Sequence, residues 1–223
     1  MYETRDKEKE MIFERLMYSL NKALLVLIVI GGVLVFASSE MFLTSLKPVT
    51  NFEDLQETKA EEGMHIKGEL KYALDCFAYE ETWTENKDGS RTPAKTSHYY
   101  YAIPGPDDTF FAVEVSTDKQ DAMEALADET VEYVQSGTEP TTKVTVEGRM
   151  SKMDEEMVGL FEEYLEEIGY TQTEISAMGD FYYVEKAAMK NVQIAFGVGV
   201  LLVVVGIALV VIRFIKSKYM IAR

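Results

Sequence analysis

Two long apolar runs frame the chain, and between them apolar and polar positions alternate with short, readable periods. The first run is "ALLVLIVIGGVLVFASSEMFL", Ala23 to Leu43. The second is "IAFGVGVLLVVVGIALVVI", Ile194 to Ile212, with no charged residue in 19 positions. At about 1.5 Å of helical rise per residue, either run covers most of a hydrocarbon core roughly 30 Å thick. Taken alone, Ala23 to Ala37 also resembles the core of a cleaved signal peptide, with "VFA" as a small-residue cleavage site. Three features favour a retained anchor. The segment before it is long and as acidic as it is basic. Apolar character resumes at Met41, Phe42 and Leu43. Ile12, Phe13, Leu16, Met17 and Leu20 share one helical face, the pattern of an interfacial helix leading into the span.

After the first run, Pro48 and "VTNFEDLQETKAEEG" predict a connector with a short helix begun by Asn51 and closed by Gly63. In "MHIKGELKYALD" the apolar residues Met64, Ile66, Leu70, Tyr72 and Leu74 alternate with polar ones, the period-two signature of a half-buried strand. The phase then shifts at Cys76, towards Phe77, Tyr79 and Trp83, which predicts a bulge or break. "ENKDGSRTPAKT" reads as a polar loop. "SHYYYAI" and "TFFAVEV" read as two strands joined through "PGPDD".

A helix follows, with Thr117 and Gln120 as a capping-box pair, Met123, Leu126, Ala127, Val131 and Val134 on its apolar face, and Gly137 just past its end. "TKVTVEGRM" is the next strand. The second helix has Met157, Leu160, Phe161, Tyr164, Leu165 and Ile168 on one face, Ser151 as its cap and Gly169 at its close. "DFYYV", Asp180 to Val184, is a last short strand. Three strands, a helix, a strand, a helix and a strand make an α+β domain inserted between two transmembrane α-helices. The expected form is a small OB-like β-barrel or, as the alternative, an antiparallel sheet with two packed helices.

Charge sorts these parts between the two sides of a membrane. The 223 residues carry a formal charge of −16, and Glu40 to Lys190 alone holds 13 basic and 33 acidic residues, a net of −20. Lys and Arg gather outside the spans: Arg5, Lys7, Lys9, Arg15 and Lys22 before the first, and Arg213, Lys216, Lys218 and Arg223 after the second. The bias of Lys and Arg towards the cytoplasm predicts a multi-pass plasma-membrane protein with both termini cytoplasmic and residues 44–190 extracytoplasmic. The expected organisation is 1–22 as a cytoplasmic segment with an amphipathic helix, 23–43 as the first transmembrane helix and 44–63 as a linker. An acidic α+β domain at 64–190, a second transmembrane helix at 191–212 and a basic tail at 213–223 complete it. The bilayer is one expected partner and a membrane or extracytoplasmic protein is another. Such an acidic chain excludes nucleic acid, which requires clustered Lys and Arg. A single cysteine, Cys76, excludes an intrachain disulfide; its phase among buried positions predicts a small core residue.

The search for chemistry returns few candidates. No nucleophile-elbow, zinc-protease or phosphate-loop motif occurs, so no catalytic, cofactor or metal residue is assigned and no cofactor is expected. His65 and His98 both fall opposite the apolar phase of their strands, where two neighbouring strands would make a metal pair and unrelated strands two solvent-facing residues. Asn86, Asp88 and Gly89 echo a calcium loop, but Thr84 and Lys95 occupy the positions of its first and last carboxylates. Glu162, Glu163, Glu166 and Glu167 read as a solvated helix face. The partner-binding candidates are the consecutive aromatics Tyr99, Tyr100, Tyr101, Phe110, Phe111, Tyr182 and Tyr183, with Phe181 beside them. Consecutive strand residues point to opposite faces, so these rings form either a second core or an exposed aromatic groove. In the second span Ala195, Gly199 and Gly206 share a face suited to helix packing, with Gly31 and Gly32 as the opposing side.

With "HIKGELKYALDCFAY", "YYYAIPG", "VTVEGRM" and the two spans in view, the whole chain resembles a family of uncharacterised two-span membrane proteins from Firmicutes. The resemblance implies no functional residues. The layout is also similar to that of mitochondrial membrane ubiquitin ligases, but only "RFIKSKYMIAR" follows the second span, where those proteins carry a cysteine-rich zinc module. The function expected is a membrane-anchored, non-enzymatic extracytoplasmic module that binds or senses a partner near the outer membrane surface. An enzyme with a hidden carboxylate/His cleft and an accessory subunit of a transporter are the alternatives.

Overall fold

A computed structural model describes residues 21–55, 60–105 and 108–220. The chain forms two compact units, Thr44–Met189 and the helices on either side of that segment. The interfacial helix expected around Ile12 to Leu20 lies outside the described residues.

The flanking unit contains α1 (Lys22–Ser45) and, after the domain, a helix over Met189–Met220. Both are long and apolar enough to cross a membrane. They cross at glycine. A Cβ on Gly31 would stand 2.8 Å from the Gly199 carbonyl oxygen, and one on Gly206 would stand 2.5 Å from Ile28 Cγ1. Small residues thus let the two backbones meet closely. Gly32 has no atom within 4 Å of its Cβ position. Phe42 and Phe196 stack with ring centroids 3.9 Å apart.

The domain is a seven-stranded mixed sheet with helices on both faces. Its strands are β1 (Val49–Thr50), β2 (His65–Leu70), β3 (Cys76–Thr82), β4 (Lys95–Pro104), β5 (Phe110–Ser116), β6 (Val144–Lys152) and β7 (Tyr182–Lys186), in spatial order β1-β2-β6-β7-β5-β4-β3. The domain's helices are α2 (Phe52–Leu55), α3 (Gln120–Ser136), α4 (Glu155–Glu167) and α5 (Gln172–Met178), so Met189–Met220 is α6. The sheet is open, with β1 and β3 as its edges, and the expected barrel closure is not formed. Nor is the sheet purely antiparallel. β1/β2 run parallel at one edge, and β5/β7 run parallel where the last short strand inserts into the centre of the sheet between β5 and β6.

Alternation along the strands supplies two cores. Ile66, Leu70, Tyr101, Ile103, Phe111, Val113 and Val115 face α3 and α2, against Met123, Leu126, Phe52 and Leu55. Ala102 and Ala112 face the other way, against Phe161, Tyr164 and Leu165 of α4 and Ile175 of α5. A central sheet with both faces covered explains why aromatics occur in runs. Each ring of a pair has a core to enter.

Several local expectations are corrected. The long first strand is two: it stops at Leu70 and β3 restarts at Cys76, with bulges at Cys76/Ala78 and Glu80/Glu81. Cys76 is exposed, because it starts an edge strand beside a bulge. No side chain caps α3. A 3₁₀ turn at Thr117–Lys119 precedes it, Lys119 is its N-cap, and the Ser116 hydroxyl turns instead to Asp118. The buried face of α3 is Met123, Leu126, Ala127 and Thr130, while Val131 and Val134 are exposed. Thr130 takes the inner position because its Oγ accepts the Ala73 N–H and donates to the Leu126 carbonyl. Asp154, not Ser151, caps α4, accepting from the Met157 N–H at 2.9 Å. Ser151 belongs to β6. Leu160 and Ile168 at the rim of the α4 stripe are exposed.

Candidate functional site

A gap in the sheet makes a cleft. β7 lies between β5 and β6, but it is short. Its pairing with β5 ends at Val113↔Val184, whereas it stays with β6 as far as Gly148↔Lys186. Ala187 continues along β6, donating its N–H to the Glu147 carbonyl at 3.0 Å. The chain therefore peels away from β5 while β5 runs on to Ser116, and a space of about 320 Å³ opens between them. Glu114 and Val115 line one wall. Thr145, Val146 and Glu147 line the other, with Lys67 beside them; Lys119 and Lys186 to Ala188 complete the lining.

Polar groups bridge this gap. Lys119 Nζ donates to the Thr145 carbonyl, a strand oxygen that β7 ends too early to reach. Lys186 Nζ donates to Ser116 Oγ at 2.6 Å, and the Lys186 N–H donates to Glu114 Oε2 at 3.3 Å. Lys67 Nζ lies 3.2 Å from Glu147 Oε1. The same carboxylate meets His65 Nε2 at 3.4 Å, while His65 Nδ1 is buried without a partner among the described residues.

Glu114 links the cleft to a second polar cluster. Its carboxylate lies 3.3 Å from His98 Nε2, and His98 Nδ1 lies 3.1 Å from Glu80 Oε2. Strand register sets this arrangement, since Glu80 pairs with His98 and Glu114 lies two residue pairs along on β5, on the same face of the sheet. Burial pushes the Glu114 carboxyl up from the ordinary carboxylate range, partly countered by His98 and the Lys186 N–H, while Glu185 and Glu80 add to the rise. Beside it, Tyr100 and Tyr183 meet edge to face at 6.0 Å. Burial raises both phenols, that of Tyr183 to about 12.

The aromatic candidates divide between the two cores. Tyr99, Tyr101, Phe111 and Tyr182 belong to the α3 side, and Phe110, Phe181 and Tyr183 to the α4 side. Tyr101 is fully enclosed, Phe111 lies 6.2 Å from Phe52, and Phe110 meets Tyr170 edge to face. Gly199 and Gly206 face α1, and Ala195 is half-buried on α6. His65 and His98 are not brought together. β6, β7 and β5 stand between their strands, which separates them by roughly 20 Å at about 4.8 Å per strand. Among the described residues, no three His, Cys, Asp or Glu side chains converge as a metal site. Asp88 stays with its own turn, accepting from Ser90.

The cleft residues were not singled out by motif. Lys67 and Glu147 occupy ordinary polar positions of alternating strands. Glu114 offered the one local signal, a carboxylate inside the apolar strand "TFFAVEV". Convergence of Lys67, Lys119 and Lys186 depends on where β7 inserts, which no local pattern encodes.

The chain belongs to the family described as a domain of unknown function, DUF8577, whose model matches residues 10–216. No curated protein and no solved structure matches it.

Proposed function

We propose that this protein is a non-enzymatic binding or sensing module held outside the plasma membrane by a tether at each end, with its partner met close to the bilayer. The observation that carries the reading is the bracketing of one folded acidic unit, Thr44–Met189, between two helices apolar enough to span. Lys and Arg flanking those helices favour cytoplasmic termini. Net charge sets the domain apart from that side: −20 over residues 40–190. The cleft at the end of β7 supplies a concave, partly polar place for a ligand, in the size range of small-molecule sites.

Reporter fusions test it. A reporter active only outside the cytoplasm is expected to work when inserted after Gly137 and to be silent after Arg223. The reverse pattern refutes the orientation.

A second reading has one observation in its favour. His98 between Glu80 and Glu114, with Glu114 shifted up by burial, is an acid–base arrangement of the kind that works in hydrolytic or isomerising sites. An enzyme of that kind loses turnover on Glu114→Gln while keeping its fold.

A further inference from the structure

We propose that the cleft at the end of β7 binds a phosphate group through Lys119 and Lys186, with Lys67 on the facing wall. The inference rests on the binding-module reading above and names its ligand chemistry.

Residues 40–190 hold only 13 basic side chains against 33 acidic ones, yet three of the lysines line one cleft. Five of the other ten cations are spent on carboxylates: Lys71 on Glu139, Arg91 on Glu85, Lys143 on Glu69, Arg149 on Glu62 and Lys152 on Asp180. Lys119 and Lys186 are not. Their hydrogen bonds go to neutral oxygens, Thr145 O and Ser116 Oγ, and among the described residues neither ammonium has a carboxylate within 4.0 Å. An ammonium has three donors, so each keeps capacity for an incoming oxygen.

The acids nearby are already engaged. Glu147 is held by Lys67 and His65, and Glu114 by His98 and the Lys186 N–H. Asp118 takes the Ser116 hydroxyl and acts on both lysines electrostatically, so it is the carboxylate an incoming phosphate must outcompete. Finally, the C-terminal wall, Lys186 to Ala188, runs directly into α6 in the sequence. That continuity makes a lipid headgroup one natural source of the phosphate; a soluble phosphate compound is the other. The net negative charge of the domain repels anions at long range, but salt screens this beyond about 8 Å, whereas contact within the cleft survives.

The test uses the full chain purified in a non-ionic, phosphate-free detergent. It is titrated at constant ionic strength with inorganic phosphate and, separately, with short-chain phosphatidylglycerol. Binding is read by ³¹P line broadening and by lysine side-chain NMR shifts. Saturable binding is expected for at least one probe. Lys119→Gln with Lys186→Gln is expected to weaken it about tenfold or more, whereas the paired Lys→Arg variant retains it because charge is kept. Lys87→Gln with Lys95→Gln, the same charge change on the β3–β4 hairpin, is expected to leave it unchanged. Saturation by inorganic phosphate alone assigns a soluble source; saturation by the lipid alone assigns a headgroup. No saturation by either probe, or equal weakening in the hairpin control, overturns the proposal. Neither result touches the tethered, extracytoplasmic reading, which the reporter fusions judge independently.

Discussion

Substituting Gly148 by Ala probes the strand insertion that creates the cleft. Gly148 pairs with Lys186 at the last rung of the β6/β7 ladder. A Cβ there would lie 2.1 Å from the Glu185 carbonyl oxygen and 2.9 Å from both the Glu185 carbonyl carbon and Val184 Cγ1. The obstacle is mainly backbone in a central strand, so no flexible chain end can swing away. Restoring van der Waals contact requires β7 to move by about 1 Å. Overpacking a core typically costs about 1–3 kcal/mol, and a ladder hydrogen bond lost in the shift adds about 1 kcal/mol. The sum, roughly 2–4 kcal/mol, is a large part of a domain stability of about 5–15 kcal/mol. For a domain of this size, about 2–4 °C per kcal/mol gives a fall of roughly 5–15 °C in Tm. Gly159 is the internal control: it lies exposed within α4, with nothing within 4 Å of its Cβ position. Gly159→Ala is expected to stabilise by about 0.5–1 kcal/mol through helix propensity. Thermal melts of the two variants in detergent, followed by near-ultraviolet circular dichroism, are the assay. A Gly148→Ala protein melting within a degree of the parent refutes the close approach of β7 to β6.

Glu129 clasps the loop before β6, accepting from the backbone N–H groups and hydroxyls of Thr141 and Thr142. Those donors hold its carboxyl below the ordinary value, so its stabilisation is present above about pH 4.5 and fades as pH falls through the lowered value. Glu129→Gln should therefore flatten the acid limb of the Tm–pH curve, and an unchanged limb counts against the clasp. Glu114 has the opposite sign. Burial raises it, so its ionisation costs stability as pH rises from its ordinary value through the raised one, and Glu114→Gln should gain Tm relative to the parent from pH 4 to 8. A difference that shrinks over that range contradicts the assignment. In the helix hairpin, Gly31→Leu must displace the Gly199 carbonyl, whereas Gly32→Leu meets open space. With Phe42→Cys and Phe196→Cys in a Cys76→Ser background, oxidative cross-linking should fail for the first and persist for the second.

Much of the secondary structure was legible because local rules governed it. "SHYYYAI", "TFFAVEV" and "TKVTVEGRM" are strands within a residue or two at most of their boundaries, and α4 follows its apolar stripe. Gly137 and Gly169 close their helices with φ of 76° and 109°. The phase shift at Cys76 marks a real break. α5 carries a local signature of its own, a reciprocal capping box between Thr171 and Glu174. The open sheet was not legible, because β7 finds its place through non-local pairing with β5 and β6. The consequences of that one insertion were equally hidden. They include the two-faced burial of the aromatics, the unmatched ends of β5 and β6, and the lysines gathered where they part.

The central claim places the Thr44–Met189 domain outside the cell, and the protein carries its own probe for it. Cys76 is the single cysteine and an exposed residue at the start of edge strand β3, its thiol hydrogen-bonded to the Ala78 carbonyl and its pKa pushed up by partial burial, so labelling is done at mildly alkaline pH. A membrane-impermeant maleimide applied to intact cells should label the wild-type chain fully, with no increase after lysis. Labelling that appears only once the membrane is broken would put the domain in the cytoplasm and contradict the account.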